Sequence, residues 1–152
     1  MDVAIRSLPA QPTACIRIHT TPDHIAKAFN AALPKVAARV AQVGGVIAGP
    51  PYSRYYAYGP DGIDMEVGVP VAAPISLDGE VEPAELPAVE AAVAIHEGSY
   101  DHLGATYDLV ERWIADHGHE GTEGMWELYL TDPRAQPDPS TWRTQIVWPL
   151  KH

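Results

Sequence analysis

The chain has 152 residues, 46% of them hydrophobic and 20% charged, and its ten basic and twenty acidic side chains give a formal net charge of −10. That length suits one ordinary domain, or two small ones fused, with enough interior to fold without staples. The composition is globular, the acidic balance disfavours direct contact with nucleic-acid phosphates, and a lone cysteine, Cys15, excludes a disulfide framework or a multi-cysteine metal site.

No apolar run approaches the roughly eighteen residues of a membrane helix. The first residues lack the basic flank and apolar stretch of a secretory signal. The expected location is therefore the cytoplasm. Charge is uneven along the chain: residues 1–60 hold six basic and two acidic side chains, and residues 61–152 hold four and eighteen. Most of these carboxylates read as a solvated acidic coat.

In chain order, residues 1–12 carry no period and read as an N-terminal tail, mobile or forming an edge strand. Residues 13–19 alternate and are rich in β-branched side chains, which predicts a strand. Thr21 and Pro22 suit a helix start, and Ile25, Phe29, Ala32, Val36, Val40 and Val43 form its apolar stripe. Gly44-Gly45 stops it. Pro34 lies inside the stripe and predicts a kink or two abutting helices. Residues 52–58 and 63–69 read as a hairpin around the turn Gly59-Pro60-Asp61-Gly62. Residues 70–87, with four prolines and four acids, read as a loop or linker.

The second half repeats this order. Residues 89–96 alternate into a strand. A helix over about 101–117 carries the stripe Leu103, Tyr107, Val110, Trp113, Ile114 and His117, with Gly118 as its cap. Strands over 125–131 and 142–148 follow. Ile18-His19 matches Ile95-His96 at an offset of 77. Tyr52, Arg54 and Tyr56 match Met125, Glu127 and Tyr129 at 73, and the run from Glu66 matches the run from Gln145 at 79. The predicted fold is α+β: two tandem strand-helix-strand-strand modules forming one curved antiparallel sheet, with two helices on one face and a ligand cleft between the halves. The modules span about 13–71 and 88–150, joined by a linker over 72–87, within a single domain over 13–150.

Familiar catalytic patterns are absent. There is no nucleophile elbow, phosphate loop or dinucleotide fingerprint. His96-Glu97 lacks a second histidine at position 100, which is Tyr100, so the zinc-protease motif fails. No metal and no cofactor are expected. The informative segment is Met125 to Thr131. In a strand Met125, Glu127, Tyr129 and Thr131 share one face, with Trp126, Leu128 and Leu130 on the other. A carboxylate flanked by bulky residues must be paired, protonated or kept for a ligand. Arg54, its counterpart in the repeat, is the candidate partner if the role is structural. Four tryptophans and seven tyrosines supply flat faces with polar handles, suited to flat or cationic ligands. Trp113 and Tyr107 read equally well as helix-core residues.

The segments Trp126 to Pro133 and Trp142 to Leu150 together resemble the C-terminal signature of the GyrI-like small-molecule-binding family, which includes effector-binding domains of AraC-type and MerR-type regulators. Asp64 to Val71 is similar to its mid-chain signature, and His96 to Leu103 to its second strand-to-helix junction. The resemblance covers residues 13–150. It implies the same duplicated fold and an aromatic-lined cleft for lipophilic, often cationic compounds, with Glu127 at the pocket floor and Tyr129 beside it. The expected ligand-binding residues are Glu127, Tyr129, Met125, Tyr56, Trp113, Tyr107, Glu66 and Gln145. Gln145 stands where the family often has an acid, which argues against a strongly dicationic ligand.

The expected function is a stand-alone small-molecule-binding protein that senses or sequesters lipophilic, aromatic or cationic compounds without a DNA-binding domain. Two alternatives stand beside it, the first implied by the resemblance and the second by the acidic second part of the chain together with the resemblance. One is a hydrolase that opens an electrophilic ring such as a cyclopropane, with Glu127 and Tyr129 as catalytic candidates. The other is an acidic interaction protein of the gyrase-modulating kind. The expected partner is a small molecule, with no direct nucleic acid and no membrane. An exposed edge strand would admit a protein partner or a second copy.

Overall fold

The computed structural model describes residues 2–151. The fold is α+β, and the strand pairings within each of its two units are antiparallel. Two compact units divide the chain, Pro9–Ala88 and Met1–Leu8 with Val89–His152. Among the described residues, no helix is long and apolar enough to cross a membrane.

In the first unit, β2 (Gln11–Thr20) leads through a short turn into α1 (Ile25–Gln42), then β3 (Tyr52–Gly59), β4 (Gly62–Pro70) and β5 (Glu82–Leu86). The strands lie in the order β3-β4-β2-β5. Period-2 alternation places Ala14, Ile16, Tyr55, Ile63, Met65, Val67 and Val69 on the face covered by Ala32, Val36 and Val40 of α1. Each buried valine, isoleucine or methionine there contributes about 1.5–3 kcal/mol.

Three details differ from the sequence expectation. Thr21 does not cap a backbone amide; its hydroxyl donates to Asp23 Oδ1 at 2.7 Å, and α1 starts after a short 3-10 turn. The helix runs unbroken through Pro34. Pro34 and Asn30 are both exposed, so the carbonyl that loses its amide partner faces water. The acidic, proline-rich stretch is not wholly loop, because Glu82–Leu86 pairs with β2. Pro83 is tolerated there because β5 is an edge strand.

The second unit takes β1 (Val3–Leu8), then β6 (Val89–Glu97), α2 (Leu103–Asp116), β7 (Met125–Tyr129) and β8 (Arg143–Pro149), in the order β1-β6-β8-β7. Residues 3–8 are thus an edge strand on β6 rather than a loose tail. Ala92, Ala94, Val110, Ile114 and Leu150 form the core beneath α2. Gly118, at φ +75°, closes the helix, and the His119 amide donates back to the Ile114 carbonyl at 3.0 Å.

The register corrects two of the three repeat offsets. Ile18 faces α1, whereas Ile95 faces away from α2 and His96 faces it. Arg54, opposite Glu66, faces away from α1, whereas Glu127, opposite Ile146, faces α2. A slip of one residue reverses every side chain in a strand, so Arg54 is not the positional counterpart of Glu127. The offset of 79 preserves the face: Glu66 and Gln145 both point away from their helices.

Candidate functional site

The second unit carries a polar layer between α2 and its sheet. Glu127 is 5% exposed. Tyr107, from α2, donates to Glu127 Oε1 at 2.6 Å. Tyr129, two residues along β7 and on the same face, donates to Oε2 at 2.8 Å. Burial drives the Glu127 carboxyl above its ordinary value, and the two phenols and the nearby His96 pull it part of the way back. Among the described residues Glu127 forms no ion pair with a lysine or arginine.

His96, Thr144 and Tyr129 stand in one cross-strand row over β6, β8 and β7. His96 is 3% exposed. Its Nε2 lies 2.9 Å from the Ser99 carbonyl, which only accepts, so that nitrogen carries hydrogen. Its Nδ1 lies 2.6 Å from Thr106 Oγ1 on α2. The Tyr100 ring packs edge-on against Tyr129 at 5.7 Å and tilts over Trp142 at 4.9 Å. Burial, Glu127 and Asp132 all raise the Tyr100 hydroxyl above its usual range. Trp148 packs against Tyr107 at 6.0 Å, and Gly121 leaves the room that ring needs, since a Cβ there would lie 2.3 Å from Trp148 Nε1.

Glu127, Tyr129 and Tyr107 thus come together as a bonded cluster. Met125 begins the same strand on the same face and is half-buried. Trp113 packs against the α2 core and stacks on His117 at 3.9 Å. Gln145 lies opposite Leu128, on the face away from α2 and Glu127. Tyr100, Trp142, His96 and Thr144 are not among the expected binding residues, although the motifs His96 to Leu103 and Trp142 to Leu150 contain all four.

Tyr56 and Glu66 belong to the first unit and form a cluster there. Glu66 is 2% exposed and lies on the face away from α1, directly between Arg17 and Arg54 on the neighbouring strands. Tyr52 donates to its Oε2 at 2.5 Å, and Tyr56 donates to its Oε1. Both guanidiniums lie over the Tyr56 ring, at 4.2 and 4.8 Å from its centre. Gly68 lets the Tyr52 ring cross the strand, because a Cβ would lie 2.9 Å from that ring and 2.4 Å from the Ala14 carbonyl oxygen. Burial and the Glu66 carboxylate push the Tyr56 hydroxyl and the Cys15 thiol each up to about 12. Cys15 is therefore an unreactive thiol.

The fold has close structural relatives. The crystal structure of the EcmrR C-terminal domain superposes with a TM-score of 0.84 at 23% identity, over 99% of this chain and 97% of that one. In the EcmrR–DNA complex the TM-score is 0.85 at 21% identity, and this chain, 99% covered, spans only 57% of EcmrR. SAV2435 bound to tetraphenylphosphonium gives 0.72 at 13% identity, over 99% and 94% of the two chains. A hydrolase from Listeria innocua gives 0.70 at 12%, over 98% and 91%. At these identities the likeness is one of fold. No curated protein sequence matches the chain. The sequence profile of the GyrI-like small molecule binding domain matches residues 1–151, and the chain belongs to that family.

Proposed function

We propose that this domain binds a lipophilic aromatic cation at Glu127. The observation that carries the reading is a carboxylate 5% exposed, fixed by two phenols and, among the described residues, in no ion pair with a lysine or arginine. Burying such a group costs free energy that a structural role does not return, whereas an entering cation would offset it. Tyr129, Tyr100 and Trp142 stand beside it as the aromatic surface on which a delocalised cation rests. SAV2435, a fold relative, is bound to tetraphenylphosphonium, which makes that cation the first probe to use. Calorimetric titration should show saturable binding to the wild type, weakened at least tenfold, about 1.4 kcal/mol, by Glu127→Gln. Equal affinity in a folded Glu127→Gln protein would remove Glu127 from the site.

A hydrolytic reading uses the same pair, with Glu127 orienting water and the Tyr129 hydroxyl at 2.8 Å as proton donor. A cyclopropane substrate would gain one water, visible by mass spectrometry, and unchanged substrate would leave binding as the activity.

A further inference from the structure

The hydrogen-bond inventory around Glu127 does not close. An ionised carboxylate offers about four acceptor positions, and the two tyrosines fill two of them. Thr144 is 0% exposed, yet its Oγ1 has no hydrogen-bond partner among the described residues. Its row neighbours are already engaged elsewhere: His96 with Thr106 and Ser99, and Tyr129 with Glu127. Buried hydroxyls are rarely left unmatched, and each exception asks for an explanation. Ser53 is the other such case, but it sits opposite Val67 on the apolar face toward α1, whereas the buried Glu66 is on the other face. Thr144 instead lies directly opposite Tyr129, the residue that holds Glu127.

The spare capacity of this layer is mainly acceptor capacity: lone pairs on Glu127 and on Thr144. A permanently substituted cation satisfies the charge but not these acceptors. A protonated amine satisfies both. We infer that Thr144 is a specificity-determining residue, and that the preferred ligand class is an aromatic cation bearing N–H groups, its charge on Glu127 and an N–H given to Thr144 Oγ1. This rests on the reading of Glu127 as the cation site and narrows it to a ligand class.

The test compares 4-biphenylmethylammonium with its N,N,N-trimethyl counterpart by calorimetry at neutral pH. The wild type should bind the N–H cation about tenfold more tightly, the range of one charge-assisted hydrogen bond. Thr144→Val, which keeps shape and removes the hydroxyl, should abolish the preference by weakening only the N–H ligand, and Thr144→Ser should retain it. A wild type without the preference, or a preference unchanged in Thr144→Val, overturns the inference. If both cations bind equally and Glu127→Gln weakens both, the cation site stands and the role of Thr144 falls. If neither cation binds the wild type, both fall.

Discussion

Each unit buries one glutamate and ties both of its oxygens to tyrosines, yet the two carboxylates are treated differently. Glu66 faces away from α1, between two arginines in register, and takes a short bond from Tyr52. Glu127 lies under α2 with two phenols and a neighbouring histidine. Two phenols alone do not offset the desolvation of a carboxylate; at Glu66 two guanidiniums stacked on the Tyr56 ring add positive charge nearby. On the proposed reading, the first site is structural and the second is completed by a ligand.

Truncation should separate them most sharply. Glu66→Ala removes the acceptor shared by Tyr52 and Tyr56, leaving Tyr52 with Thr13 and Tyr56 with Arg54, and leaves two guanidiniums over one ring without the carboxylate. It should cost roughly 3–5 kcal/mol in urea unfolding. The same change at Glu127 also removes a carboxyl that burial disfavours, so the expected loss is only about 1–2 kcal/mol. Equal losses would mean the two carboxylates do the same job. Next in size, Tyr107→Phe should cost about 1 kcal/mol and move the Glu127 titration, followed by carboxyl NMR, to still higher pH.

The smallest effect is on pH dependence. The native Glu127 carboxyl lies above its ordinary value of 4.5. Below 4.5 both folded and unfolded chains hold the proton, and this group's contribution is at its maximum. As pH rises, the unfolded chain ionises first, so stability falls until the native carboxyl has titrated. Wild-type stability should therefore decline relative to Glu127→Gln from about pH 4.5 upward. Affinity for tetraphenylphosphonium should climb over the same window. A wild type whose stability profile parallels that of Glu127→Gln would show that burial does not perturb the group.

Much of this was readable in the sequence. Alternation and spacing placed both helices and six of the eight strands, and they put Glu127 and Tyr129 on one face. Of the other two, Val3–Leu8 reads from sequence as either a mobile tail or an edge strand and Glu82–Leu86 reads as linker; both are edge strands, half paired and therefore weakly patterned. The mistaken pairing of Arg54 with Glu127 has a plain origin. Sequence matching tolerates a one-residue shift that a pleated sheet does not, and β3 carries an irregularity between Tyr55 and Ala57. Thr144 and His96 joined the site only through register, since residues 48 positions apart in sequence become neighbours only once β6 and β8 pair.

The placement of β1 has a consequence for how the chain is made. Val3–Leu8 leaves the ribosome well ahead of its partner β6, which begins at Val89. Every strand of the unit Pro9–Ala88 is synthesised in the interval. The first unit can therefore condense while its flanking strand waits unpaired, and the unit carrying Glu127 closes only after β8 has followed. A shortened chain starting at Val89 would lack that edge and expose the backbone of β6 to a neighbouring molecule. Deleting residues 2–8 should accordingly increase self-association, a change that light scattering would register.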